Sequence, residues 1–113
     1  MSNLPWAQIL AWLLAAFFLF GGSVNVRAPE KVAADYRRWG YPDWFHFVTG
    51  SLEVATAVLL AIAATRPWGA MLGAGVMFAA VATVTFHREY SHAIPPLVFL
   101  VLSIVAGWAN WQP

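Results

Sequence analysis

Residues 41–65 read YPDWFHFVTGSLEVATAVLLAIAAT, and the one acid near the middle of this stretch, Glu53, decides how the chain is read. A Tyr-Pro turn and an aromatic cluster (Trp44, Phe45, Phe47) open it, and it then runs apolar to Arg66. At about 1.5 Å per residue, Glu53 lies roughly 15 Å from Asp43, about half of a ~30 Å hydrocarbon core. An ionisable group at that depth is costly, so it normally faces the interior of a bundle, often for a functional reason.

The rest of the chain supports a lipid solvent. Of 113 residues, 61% are apolar and 10% charged, against about 25% charged in soluble domains; the mean hydropathy is +0.66. Seven Trp and eight Phe suit aromatic belts at two interfaces. The absence of cysteine excludes disulfides, thiolate metal sites and Cys nucleophiles. A net charge of +1 gives no nucleic-acid footprint. No basic region precedes the first apolar run and no clear small-x-small site ends it, so residues 1–22 do not read as a signal peptide. The expectation is one membrane domain over residues 1–113.

Outward from Glu53, four apolar spans are predicted, over about 4–26, 43–65, 67–87 and 93–111. Pro5 fits the first turn of the first span, and Gly21-Gly22 and Asn25 lie near its end. Residues 27–42 hold four of the six basic residues. Pro29-Glu30 reads as a helix start, Val32, Ala33, Tyr36 and Trp39 share a face, and Gly40 and Pro42 end the run. A short amphipathic helix at the interface is predicted there, with a solvated loop as the alternative. In the third span Gly69, Gly73, Gly75, Ala79 and Ala80 supply small residues for close helix packing. Short connections make an up-down bundle the default, so the fold class is an all-α transmembrane four-helix up-down bundle with an interfacial helix between spans 1 and 2. The first and third connections carry Arg27, Lys31, Arg37, Arg38 and Arg88, and the opposite side carries Arg66, which predicts cytoplasmic connections and both termini outside.

Helical spacing puts His46, Gly50, Glu53 and Ala57 on one stripe, with Thr49 and Thr56 beside it. Gly73, Ala80, Thr83 and His87 form a comparable stripe in the third span. Asn25, His46, His87 and His92 are thereby expected to ring a mouth on the basic side, with Glu53 roughly 10 Å deeper. The candidate catalytic residues are Glu53, His87 and His46; the candidate ligand-binding residues are Asn25, Tyr41, Trp44, Thr83 and His92. Each has a plainer role open to it: a neutral structural acid for Glu53, snorkelling for His46, a helix-end contact for His87. No motif spacing supports a haem or metal site built from the three histidines.

Several motifs together resemble a known family. Phe18-x-x-Gly21-Gly22, Pro29-Glu30-x-Val32, Gly40-Tyr41-Pro42-x-Trp44-Phe45, Gly50-Ser51-Leu52-Glu53, Gly69-Ala70-Met71-Leu72 and Thr85-x-His87 are similar to the DoxX-like family of small membrane proteins, over almost the whole chain. The resemblance implies a four-helix membrane bundle. It also implies redox-linked settings, since some members resemble a subunit of quinone-linked thiosulfate oxidation and others serve as partners of redox or assembly machinery. The resemblance implies that members often carry a Lys near the end of the first span, where this chain has Asn25. If that Lys normally neutralises the buried acid, its loss favours a neutral Glu53, which suits either a proton donor or an inert structural acid.

Three functions are expected from these readings. The leading one is an integral protein of a bacterial inner membrane that holds a lipophilic small molecule, such as a quinone, around Glu53. The second is an intramembrane isomerase or cyclase using Glu53 with His46 or His87 as acid and base. The third is a membrane assembly partner without its own pocket; association with a membrane protein partner or as a homo-oligomer is also open. Four short spans offer no inverted repeat for multi-substrate transport.

Overall fold

A computed structural model describes residues 5–111, so Leu4, at the start of the first predicted span, lies outside the described residues. The described chain is all-α. It consists of α1 (Pro5–Arg27), α2 (Glu30–Arg38), α3 (Phe45–Ala61), α4 (Arg66–Phe86) and α5 (Ile94–Ala109), with single 3-10 turns at Ala63–Thr65 and Tyr90–Ala93. Helices α1 and α4 are long and apolar enough to cross a membrane, as is the helical segment Tyr90–Ala109. The fourth apolar helix, α3, has 17 residues, about 26 Å of rise, which is a little short of the hydrocarbon core.

That shortening departs from the predicted span 43–65 and has a local cause. Ile62 is extended (φ −97°, ψ 122°) and ends α3. The carbonyls freed there are taken by side chains from the next turn: Thr65 Oγ1 donates to Leu59 O at 2.8 Å and Arg66 Nε to Leu60 O at 2.9 Å. Arg66 is buried, with its guanidinium 5.7 Å from the Trp12 ring. It serves as the C-terminal cap of α3, because last-turn carbonyls need donors and attract cations.

The four apolar helices pack in the cyclic order α1–α3–α4–α5. Their core is Leu14, Phe18, Ala57, Leu60, Ala70, Met77 and Ala106. Stacked Phe17 and Phe99, with centroids 3.6 Å apart, join α1 to α5. Asn110 Nδ2 donates to Ala7 O at 3.1 Å, which brings the two described ends together on one face. On the opposite face lie α2 and the α4–α5 connection, where the chain turns through positive φ at Ala28 (46°), Gly40 (84°) and Arg88 (60°). Gly40 follows α2 as the predicted left-handed C′ residue, the conformation glycine adopts without steric cost.

Glycines set the tightest contacts. A Cβ on Gly50 would lie 2.7 Å from Gly22 O, and one on Gly22 2.9 Å from Gly50 O, so the backbones of α1 and α3 touch. A Cβ on Gly69 would meet Leu60 N at 2.8 Å, and one on Gly73 would meet Thr56 Cγ2 at 3.0 Å, so α4 crosses α3 closely near the α3 C-terminus. The third glycine of α4, Gly75, lies on another face of the helix and meets open space.

Gly50→Val should therefore force α1 and α3 apart and lower stability by about 1–3 kcal/mol, the usual cost of overpacking. Gly75→Ala should leave the midpoint of thermal unfolding in detergent near the wild-type value. Equal midpoints for all three proteins would contradict the backbone contact.

Candidate functional site

The close approach of α1 and α3 decides where Glu53 points. Side chains on a helix lean toward its N-terminus, and the N-terminus of α3 lies level with the C-terminus of α1. Glu53 is 5% exposed, its Oε1 accepts a hydrogen bond from Asn25 Nδ2, and its Oε2 lies where a Cβ on Gly21 would come within 3.2 Å. Gly21 lets the carboxyl rest against the α1 backbone. Asn25 Oδ1 in turn accepts from the Tyr36 hydroxyl at 3.0 Å, which links Glu53 through Asn25 to the interfacial helix. Burial pushes the Tyr36 phenol above its ordinary value.

Below this relay α3 and α4 diverge. They touch at Gly69 and Gly73 and separate toward the basic face, leaving a cleft of about 350 Å³ between α1, α2, α3 and α4. Its walls are mainly apolar, from Val48, Leu52, Val76, Met77, Ala80 and Val84. Its polar groups include Glu53, Asn25, Thr49 and the Tyr41 hydroxyl, which shares a 2.6 Å hydrogen bond with Thr83 Oγ1. Val48, Leu52 and Ala79 on the rim are exposed on the outside of the bundle. An apolar cleft with a few convergent polar groups is the usual form of a small-molecule site.

Helix α2 roofs the cleft with Val32, Asp35, Tyr36 and Trp39. It is clamped to the α4–α5 connection by Glu89, which accepts from Arg38 Nη2 at 2.7 Å, Arg38 Nε at 3.1 Å and Trp39 Nε1 at 3.0 Å. Arg38 also bonds Asp35 at 2.7 Å. Sequence spacing marked the Val32–Tyr36–Trp39 face as an interfacial stripe; that this stripe covers Glu53 follows from the path of the chain through Gly40-Tyr41-Pro42.

Of the residues singled out by sequence, Asn25, Tyr41, Thr83 and Glu53 line the cleft together. The histidines do not join them. His46 donates from Nδ1 to the Asn25 backbone carbonyl at 2.9 Å and lines a separate cavity, which shares Tyr36 and Tyr41 with the cleft. His87 donates from Nδ1 to Thr83 O at 2.8 Å, closing the end of its own helix. His92 is exposed beside Glu89, at 3.5 Å, and Trp44 is exposed outside the cleft. The carbonyl partners place the proton of each bonded ring on Nδ1, since a carbonyl oxygen only accepts. Among the described residues no group of three or more His, Cys, Asp or Glu stands close enough to hold a metal ion.

Comparison with known proteins agrees with this architecture. The model of the DoxX-like family matches residues 9–106. A relative in Bacillus subtilis (strain 168), the uncharacterized protein YdgD, is 32% identical over 93 residues, which cover 81% of this chain and 80% of that protein. No solved structure matches the chain.

The clamp on α2 predicts a pH dependence. The hydrogen bond from Arg38 holds the Glu89 carboxyl below the usual carboxylate range, so its stabilising effect is complete above that range and is lost as pH falls through the lowered value. Amide protection over residues 30–40, taken relative to the intrinsic exchange rate at each pH, should fall as pH drops below the usual carboxylate range. Glu89→Gln should show low protection across the whole range, without this pH dependence; pH-independent protection in the wild type would count against the clamp.

Proposed function

We propose that this chain, which belongs to the DoxX-like family, holds a lipophilic small molecule with a hydrogen-bonding head group in the cleft around Glu53. The chain is an integral membrane protein, so a lipophilic ligand reaches it from the bilayer. The observation that carries the reading is the cleft itself: a wedge of about 350 Å³ with apolar walls, an exposed rim on the membrane side and a buried carboxyl at its inner end. A quinone is the natural class to test. Its ring suits the apolar walls, and its carbonyl oxygens suit a proton on Glu53 or the one hydroxyl proton that the Tyr41–Thr83 pair leaves free. Asn25 and Tyr36 serve to orient Glu53.

Acid–base chemistry with a histidine partner has weaker support, because both rings are committed to backbone carbonyls and neither lines the cleft. Service as an assembly partner remains the outcome to expect if the cleft is empty. We further propose a bacterial plasma membrane location with both termini outside, on the five-to-one distribution of basic residues and on the shared face of the two described ends. Reporter fusions at the two termini test the orientation: both should be active only outside, and cytoplasmic activity at either end would reverse it.

Native mass spectrometry of the purified protein incubated with a short-chain ubiquinone tests the cleft. One bound molecule per chain is expected. Ala80→Trp, which fills the cleft from α4, should abolish binding while the bundle stays folded. Glu53→Gln keeps the shape and most of the hydrogen-bonding capacity, so it should fold and bind within a few-fold of wild type. If the protein turns over its ligand, the same variant should lose activity by about 10²–10⁴-fold. An empty wild-type protein, or equal binding by Ala80→Trp, would defeat the cleft reading.

A further inference from the structure

A second cavity, of about 460 Å³, lies beside the Glu53 cleft, between the end of α1, α2 and the start of α3. Tyr36 and Tyr41 border both spaces, yet the two differ in charge. The first contains a buried acid. The second is lined by Arg27, Arg37 and His46, with Asp43 as its acid.

The two arginines are available to a ligand. Arg27 has no carboxylate within ion-pair distance among the described residues. Arg37 pairs with Glu30 at 2.7 Å, but the two side chains are 53% and 84% exposed, and pairs so exposed are weak and readily exchanged. His46 is pinned through Nδ1 to the Asn25 carbonyl, which leaves Nε2 as its remaining polar atom. The N-terminus of α3 also opens here without a side-chain cap, so the positive end of a 17-residue helix adds to the field. Asp43 opposes it within the lining, and Glu30 pairs with Arg37 from outside the cavity, so Arg27 is the cation left without an acid partner among the described residues. The cavity lies where α1 ends and α3 begins, beside the amphipathic α2, as a head-group site requires, and exposed Phe47 borders it with an apolar surface.

We propose that this cavity binds a phosphate-bearing anion, with Arg27 and Arg37 converging on the phosphate oxygens; its source is the head group of an anionic phospholipid or free phosphate. Guanidinium groups match phosphate geometry with paired N–H donors. A lipid source also uses Phe47, against which the first methylenes of an acyl chain pack. The site stands independently of any ligand in the Glu53 cleft. It is nevertheless joined to that cleft, since His46 holds the Asn25 backbone and the Asn25 side chain holds Glu53.

The test uses the full chain in nanodiscs of mixed phosphatidylglycerol and phosphatidylcholine, with co-purifying lipid read by native mass spectrometry. The wild type should retain one phosphatidylglycerol in preference to phosphatidylcholine. The double variant Arg27→Gln/Arg37→Gln should lose about tenfold or more of that preference, because hydrogen bonds to charged groups are the strong ones. The double variant Lys31→Gln/Arg88→Gln removes the same charge from the same face outside the cavity, and should keep it. A parallel titration of the wild type with inorganic phosphate in pure phosphatidylcholine nanodiscs separates the sources. Binding there that is lost in Arg27→Gln/Arg37→Gln supports free phosphate, whereas lipid retention without phosphate binding supports the head group. If Arg27→Gln/Arg37→Gln does not fold, the single variant Arg27→Gln, which breaks no ion pair among the described residues, takes its place and should lose part of the same preference; an unchanged preference there overturns the proposal. No anion preference in either wild-type arm, or an equal loss in Lys31→Gln/Arg88→Gln, overturns the proposal.

Discussion

The contact between Gly22 and Gly50 is the constraint on which the rest of the bundle depends. Two helix backbones meet there with no side chain between them, and in lipid such contact is a principal source of helix association, because the apolar tails compete equally for larger side chains. It fixes the register of α1 against α3 and brings Asn25 to Glu53, three residues beyond each glycine. The acid is thereby oriented inward and hydrogen-bonded rather than left facing hydrocarbon. Gly21 completes the arrangement, since a side chain there would compete with the carboxyl for the same space.

A second glycine contact gives the site its shape. Gly69 and Gly73 bring α4 onto α3 near the end where Arg66 caps the helix, and from that crossing the two diverge. A bundle pinched at one end and open at the other has a cleft without needing long loops or a large chain. The cost is an open end, which α2 covers through its Tyr36 and Trp39 face. Glu89 anchors the cover by three hydrogen bonds to residues fifty positions earlier. The polar groups at this face are thus divided between two tasks: Tyr36 and Asn25 position the buried acid, while Arg38, Trp39 and Glu89 hold the roof.

Arg66 shows how a charge identical in sequence terms to its neighbours can differ in role. Counted by topology it is the one cation on its face. In the structure it is buried among carbonyls and an indole ring, completing the end of a helix that stops four residues earlier than its apolar run. The basic residues of the opposite face divide similarly. Arg38 is tied into the clamp, whereas Arg27 and Arg37 border an open cavity.

Composition and period alone determined that the chain is helical, membrane-embedded and built of four apolar segments with an amphipathic helix after the first. These properties follow from local residue content: apolar runs of spanning length, a Pro-Glu start at residue 29 and a Gly-Tyr-Pro stop at residue 40. The buried acid was legible for the same reason, since one charge in an apolar run has few places to go. The grouping of the polar residues was not. His46, on the stripe of Glu53, and His87, on that of Thr83, nevertheless bond backbone carbonyls, while Tyr36, from a different helix, reaches Asn25. Spacing along one helix fixes a face but not which neighbour that face meets. Only the packing of α2 over the α3–α4 cleft decided that, through contacts between residues far apart in sequence.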